Sequence, residues 1–148
     1  MPTLLYASTA LAGSLAGTEL ASWAVVHPAI ARLEHLEQVH AEKALYRRFG
    51  QIQAPQMAAT VTLSAITAAT AQRPTRTLAG AATGCFAAML ALTFAGNMPI
   101  NLAILRWQEP GDPERWRTLR RRWDHIHTAR VLLDTTGFGL LLVACIRH

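Results

Sequence analysis

The sequence predicts an all-α fold: a four-helix transmembrane bundle of up-down topology, with short interfacial helices in the loops after the first and third spans. Three observations carry this. First, 51% of the 148 residues are hydrophobic and only 16% are charged, whereas soluble domains carry about 25% charged residues. Second, the charges are segregated: residues 1–31 hold one, Glu19; residues 49–72 and 77–105 hold none; residues 131–146 hold one, Asp134. A soluble helix needs a polar face, and these runs lack one. Third, the net charge of +5 comes from basic residues that flank apolar runs, the pattern of membrane topology. That placement argues against nucleic acid as a partner. The composition excludes a disordered chain and a disulfide scaffold. A single four-span domain over 1–148 is expected.

The elements follow in order. Span one covers about 3–26 and holds Gly13 and Gly17, a small-xxx-small pair that lets backbones approach in lipid. The first basic residue is Arg32, so the run is read as a retained span and not a cleaved signal. His27-Pro28 is expected to close it, because the residue before proline disfavours helix. The mixed-charge stretch 29–54 is expected to form an interfacial helix. Pro55 then starts span two, about 56–71, with Thr60, Ser64 and Thr67 on one face. Gln72 to Arg76 reads as a tight turn. Span three covers about 77–105, longer than one crossing needs, so it should emerge or kink at Pro99. Pro110-Gly-Asp-Pro113 is a loop signal. A basic helix with Trp116 and Trp123 at the interface follows, then span four, about 128–146. Basic residues concentrate in the loops after spans one and three. Those loops are placed in the cytoplasm and both termini outside, in a cell (inner) membrane. Cys85 and Cys145 should differ in depth and remain free thiols.

Ionisable groups inside membrane spans are costly and normally face the protein interior. Here they converge in depth near the cytoplasmic face. Glu19, Trp23 and His27 are spaced i, i+4, i+8 on span one. Asn97 and Asn101 flank Pro99 on span three. Trp123, His127, Arg130 and Asp134 make one stripe entering span four. Glu19 and Asp134 should lie about 10–12 Å deeper than His27 and His127 at 1.5 Å per residue. The group could line one cavity. The structural alternative is that Arg130 neutralises Glu19 or Asp134, the two asparagines bond helices together, and His27 caps a helix end. A metal alternative takes Glu19, His27 and His127 as an iron or copper ligand set, although no local ligand motif such as HExxH is present. No phosphate-binding or dinucleotide fingerprint is present.

Asn97-Met-Pro-Ile-Asn101, followed by Trp123-Asp-His-Ile-His127-Thr-Ala-Arg130, resembles the anthrone oxygenase-like membrane family. Gly17-Thr-Glu-Leu and the Arg-Arg-Phe-Gly and Ala-Pro-Gln-Met elements within 47–57 look similar too, so the resemblance runs along nearly the whole chain. It implies a four-helix membrane bundle and a monooxygenase that converts an anthrone-like, apolar aromatic substrate with O2, without a cofactor. A base would remove a proton from the activated carbon and the enolate would meet oxygen. On that resemblance His127 is the base, Arg130 and Asn101 stabilise oxyanions, and Glu19 is a second acid/base. Asn97, Trp23, Trp123, His27 and Asp134 would line the substrate. The expected partners are the lipid bilayer, the small apolar substrate and O2; the small-residue faces also suit a homo-oligomer. Two other readings stand beside this one. The first is a non-enzymatic four-span protein, a transporter subunit or assembly partner with a structural polar cluster. The second is a soluble Ala-rich bundle.

Overall fold

The computed structural model describes residues 2–109 and 111–147. The described residues are helical and contain no strand. The elements are α1 (Pro2–Ala21), a π-helical turn (Ser22–Val26), α2 (His27–Ile30), α3 (His35–Thr70), α4 (Thr75–Leu92), a second π-helical turn (Thr93–Asn97), α5 (Met98–Leu105) and α6 (Pro113–Ile146). They form four rods: α1–α2, α3, α4–α5 and α6. α6 packs on α1 and α4, and α3 packs on the same two. Two stretches, Thr75–Leu105 and Pro113–Ile146, are long and apolar enough to cross a membrane.

Several sequence expectations change here. His27-Pro28 does not end the first rod. The π-helical turn just before it absorbs an extra residue, and the chain continues as helix to Ile30. Proline has no N–H to give to the preceding turn, and a wide turn accommodates that loss. The same device precedes Pro99, where the helix continues as α5. The separate interfacial helices do not exist as such. Residues 35–54 are the first half of α3, which runs unbroken through Pro55, and the basic stretch 113–127 is the first half of α6. Continuous burial along one face of each rod outweighs the single lost hydrogen bond at Pro55. The turn between α3 and α4 is shorter than the expected 72–76, since Thr75 and Arg76 already belong to α4.

Local chemistry explains the ends. The Glu34 N–H donates to Glu37 Oε2 at 3.3 Å, a capping box at the start of α3. The Arg76 guanidinium donates to the carbonyls of Ala68 and Ala69 in its last turn, where orphan acceptors collect. Asp112 Oδ1 accepts from the Glu114 N–H at 2.9 Å and Pro113 takes the first helical position of α6. Gly111 has φ +49°, and a Cβ there would collide with the Trp107 indole, so both backbone and space demand glycine. Of the loop signal 110–113, Pro110 lies outside the described residues.

Three apolar clusters bracket the polar centre. Leu5, Ala12, Phe86 and Leu141 pack at one end; Leu15, Met57 and Met89 form a middle layer; Val39, Tyr46, Ile104, Trp107, Trp116 and Trp123 fill the other end. Thr60, Ser64 and Thr67 are buried as their spacing predicts, with Ser8 and Thr67 hydroxyls 2.8 Å apart. Outward positions are apolar instead: Val25 is 63% and Leu132 65% exposed. Cys85 and Cys145 are free.

Candidate functional site

α6 supplies the spine. Trp123, His127, Arg130 and Asp134 are all buried on one face, as their i, i+4, i+7, i+11 spacing requires. Opposite them stand Glu19 from α1, His27 from α2 and Asn97 from the second π-helical turn, all buried. Glu19 and His27 are eight residues apart, which in a straight α-helix leaves them about 80° out of phase at about 100° per residue. The π-helical turn takes up that excess. It also turns Trp23 away: Trp23 is 44% exposed and donates to Thr128 Oγ1 at 2.9 Å, while Ser22 takes the buried position. Trp23 therefore does not share the inward face of Glu19 and His27 that α-helical spacing predicts.

One hydrogen-bonded chain crosses three rods. Arg130 Nη2 donates to Glu19 Oε1 at 2.6 Å and its Nη1 donates to Asn97 Oδ1 at 3.2 Å. Asn97 Nδ2 donates to the Trp123 carbonyl at 3.3 Å, and Trp123 Nε1 donates to Asn101 Oδ1 at 2.7 Å. Glu19 stands level with Arg130, so the expected depth gap between Glu19 and His127 closes. His127 Nδ1 lies 3.3 Å from Glu19 Oε2, although neither atom is aligned for a hydrogen bond. Both carboxylate oxygens of Asp134, 0% exposed, lack partners among the described residues.

A second network lies towards the wider end. His27 Nδ1 meets Glu42 Oε1 at 3.1 Å. Arg120 reaches the same carboxylate oxygen at 3.3 Å and Asp124 Oδ1 at 2.9 Å, and it donates to the Tyr46 hydroxyl. Burial pushes the Tyr46 phenol well above its usual range, against the pull of the Arg120 guanidinium. The Trp123 ring joins the two networks, with centroids 4.3 Å from His27 and 4.5 Å from His127. The imidazoles are 5.7 Å apart, and Arg120 sits over the indole at 4.6 Å. His27 Nε2 and both ring nitrogens of His127 have no partner among the described residues.

These imidazoles border two spaces. A cavity of about 730 Å³ lies between Trp23, Trp116, Arg117, Arg121, His27 and His127. A room of about 60 Å³ lies behind them, reached by Gln53, Asn101 and Arg130. The larger is of ligand size; the smaller fits one or two waters or a diatomic molecule.

Glu42, Tyr46, Gln53, Arg120 and Asp124 are members the sequence reading missed. Glu42 and Tyr46 are one helical turn apart, and Arg120 and Asp124 extend the α6 stripe by one turn. That spacing is the signal that could have found them. Of the side chains in the metal alternative, Glu19 is paired with Arg130 and His27 faces Glu42. Among the described residues no three His, Cys, Asp or Glu side chains converge as a metal site requires.

The model of the family described as anthrone oxygenase matches residues 43–140, more than half of the chain. The chain belongs to the anthrone oxygenase family. No curated protein and no solved structure matches it. The family match takes in α4, α5 and most of α3 and α6, hence Asn97, Asn101, Trp123, His127, Arg130 and Asp134. Glu19, His27 and Glu42 lie outside it and reach the site through the packing of the first rod and the start of α3.

Proposed function

We propose that this anthrone oxygenase family member is a membrane-embedded monooxygenase that oxidises an apolar, aromatic, anthrone-like substrate with O2. All four rods cross the bilayer up and down, and the 730 Å³ cavity opens towards the cytoplasmic side of the cell (inner) membrane. Lipid is then the partner of the exposed Val25, Phe94 and Leu132, because polar groups inside and apolar groups outside suit hydrocarbon.

The observation that carries the reading is a ligand-sized cavity floored by imidazoles with unpartnered nitrogens, backed by a fixed guanidinium and amide. His127 removes a proton from the activated methylene. The electron-rich enolate gives electrons to O2 and forms the C–O bond, so the substrate itself is the reductant. Arg130 and Asn101 oppose the charge that grows on oxygen. Glu19 holds Arg130 in place and stands 3.3 Å from His127, ready to exchange its proton. Trp23 walls the large cavity and Trp123 the small one, while Asn97 and Asp134 lie buried behind the walls and polarise them. No cofactor is needed for this chemistry.

Purified protein in lipid nanodiscs, given anthrone, should consume O2 and yield the quinone. His127→Ala should lower turnover about 100-fold or more while the protein still inserts. Unchanged O2-dependent turnover in that variant rejects the assignment. The non-enzymatic reading draws on the Glu19–Arg130–Asn97 chain, which is fully paired at the guanidinium ends; it predicts no anthrone binding at all.

A further inference from the structure

Conversion of a methylene to a carbonyl removes two protons from the same carbon, and the cavity is bordered by two imidazoles. We propose that His27, oriented by Glu42, is the second proton-transfer group of this site; the proposal rests on the oxygenase reading above.

The geometry distinguishes the two rings. His27 Nδ1 points at the Glu42 carboxylate, 3.1 Å away, and both residues are buried. A carboxylate on one ring nitrogen fixes the tautomer and leaves the other nitrogen as the acceptor. That other nitrogen, Nε2, has no partner among the described residues, and His27 borders both cavities. His127 has no such aligned partner, since its nearest carboxylate oxygen is at 3.3 Å and misaligned. Arg120 Nη2 lies 3.3 Å from the same Glu42 oxygen and 3.2 Å from His27 Nδ1; in the proposed arrangement Nδ1–H donates to Glu42, the shorter of the two contacts at Nδ1.

The steps balance. His127 takes the first proton from the methylene carbon, and the carbanion adds to O2, forming a C–O bond and a peroxide anion. His127 returns its proton to the outer oxygen, giving a hydroperoxide. His27 then takes the second proton from the same carbon. The freed electron pair forms the carbonyl, the O–O bond breaks, and the departing hydroxide recovers the proton from His27 as water. Carbon is oxidised by four electrons and O2 is reduced by four, so no further reductant enters.

The test separates the two steps. Wild-type protein in nanodiscs is given anthrone, with O2 uptake, hydroperoxide (by iodide oxidation) and quinone absorbance followed together. His27→Gln should take up O2 and accumulate hydroperoxide, with quinone formation about 100-fold slower or more and KM for anthrone little changed. Glu42→Gln should slow the same step, and Glu42→Asp should recover part of it. In ¹⁵N-histidine spectra of wild type without substrate, a downfield Nδ1–H resonance should be present and should vanish in Glu42→Gln. Quinone formation by His27→Gln within a few-fold of wild type overturns the proposal, as does parallel loss of O2 uptake, which would place His27 in the first step. A wild-type spectrum lacking that resonance removes Glu42 as the orienting group even where a His27 variant fails to fold. A wild type that takes up no O2 sinks the oxygenase reading itself.

Discussion

Arg130 is the residue on which the buried centre balances. It reaches Glu19 from one amino group and Asn97 from the other, and Glu19 is 0% exposed. Removing one partner of such a pair leaves an unpaired charge where water cannot reach it. Arg130→Met should therefore destabilise the protein by about 3–5 kcal/mol, measured by reversible denaturation in mixed micelles. The double variant with Glu19→Leu should recover much of that loss, because replacing both partners by apolar groups removes the buried charge altogether. A single variant as stable as wild type would mean that the pair is solvated. Glu42 makes the complementary point: it reads in the sequence as one charge of a surface helix, yet it is buried against His27 and Arg120.

At the scale of elements, contact between rods depends on a few small residues. A Cβ on Gly137 of α6 would meet the Phe86 ring of α4 at 2.6 Å, and Phe86 is fully buried. Gly137→Val should cost about 1–3 kcal/mol by overpacking, with partial recovery on adding Phe86→Leu; thermal unfolding in detergent reads both. Gly13 serves the same end, with Phe138 at 2.8 Å. Its partner in the small-xxx-small pair, Gly17, has nothing within 4 Å, and the same is true of Gly80 and Gly84, a pair of the same spacing on α4. Spacing alone thus marks where close approach is allowed, not where it occurs. The two π-helical turns are of this scale too: each precedes a proline, and a residue of the site follows the first (His27) and ends the second (Asn97).

At the scale of the whole molecule, a buried polar centre sits among rods whose outward positions include Val25, Phe94 and Leu132. Under the proposed scheme, in which all four rods cross, a cysteine at position 74 should be labelled from outside by a membrane-impermeant maleimide, in a background with Cys85 and Cys145 replaced. One at position 112 should be labelled only after permeabilisation. The reverse pattern inverts the orientation, and labelling of both from one side ends the crossing scheme.

Charge segregation and helical spacing along the chain determined the helical class and the residues of the α6 stripe, because these depend on local composition and a known helical period. Motif spacing carried the family. Only the tertiary structure decided that α3 runs through Pro55, that Trp23 turns outward, and that Glu42 and Arg120 join the imidazoles. Those outcomes rest on contacts between residues far apart in the chain, and an extra residue in a helical turn changes which face a side chain presents without altering the sequence spacing.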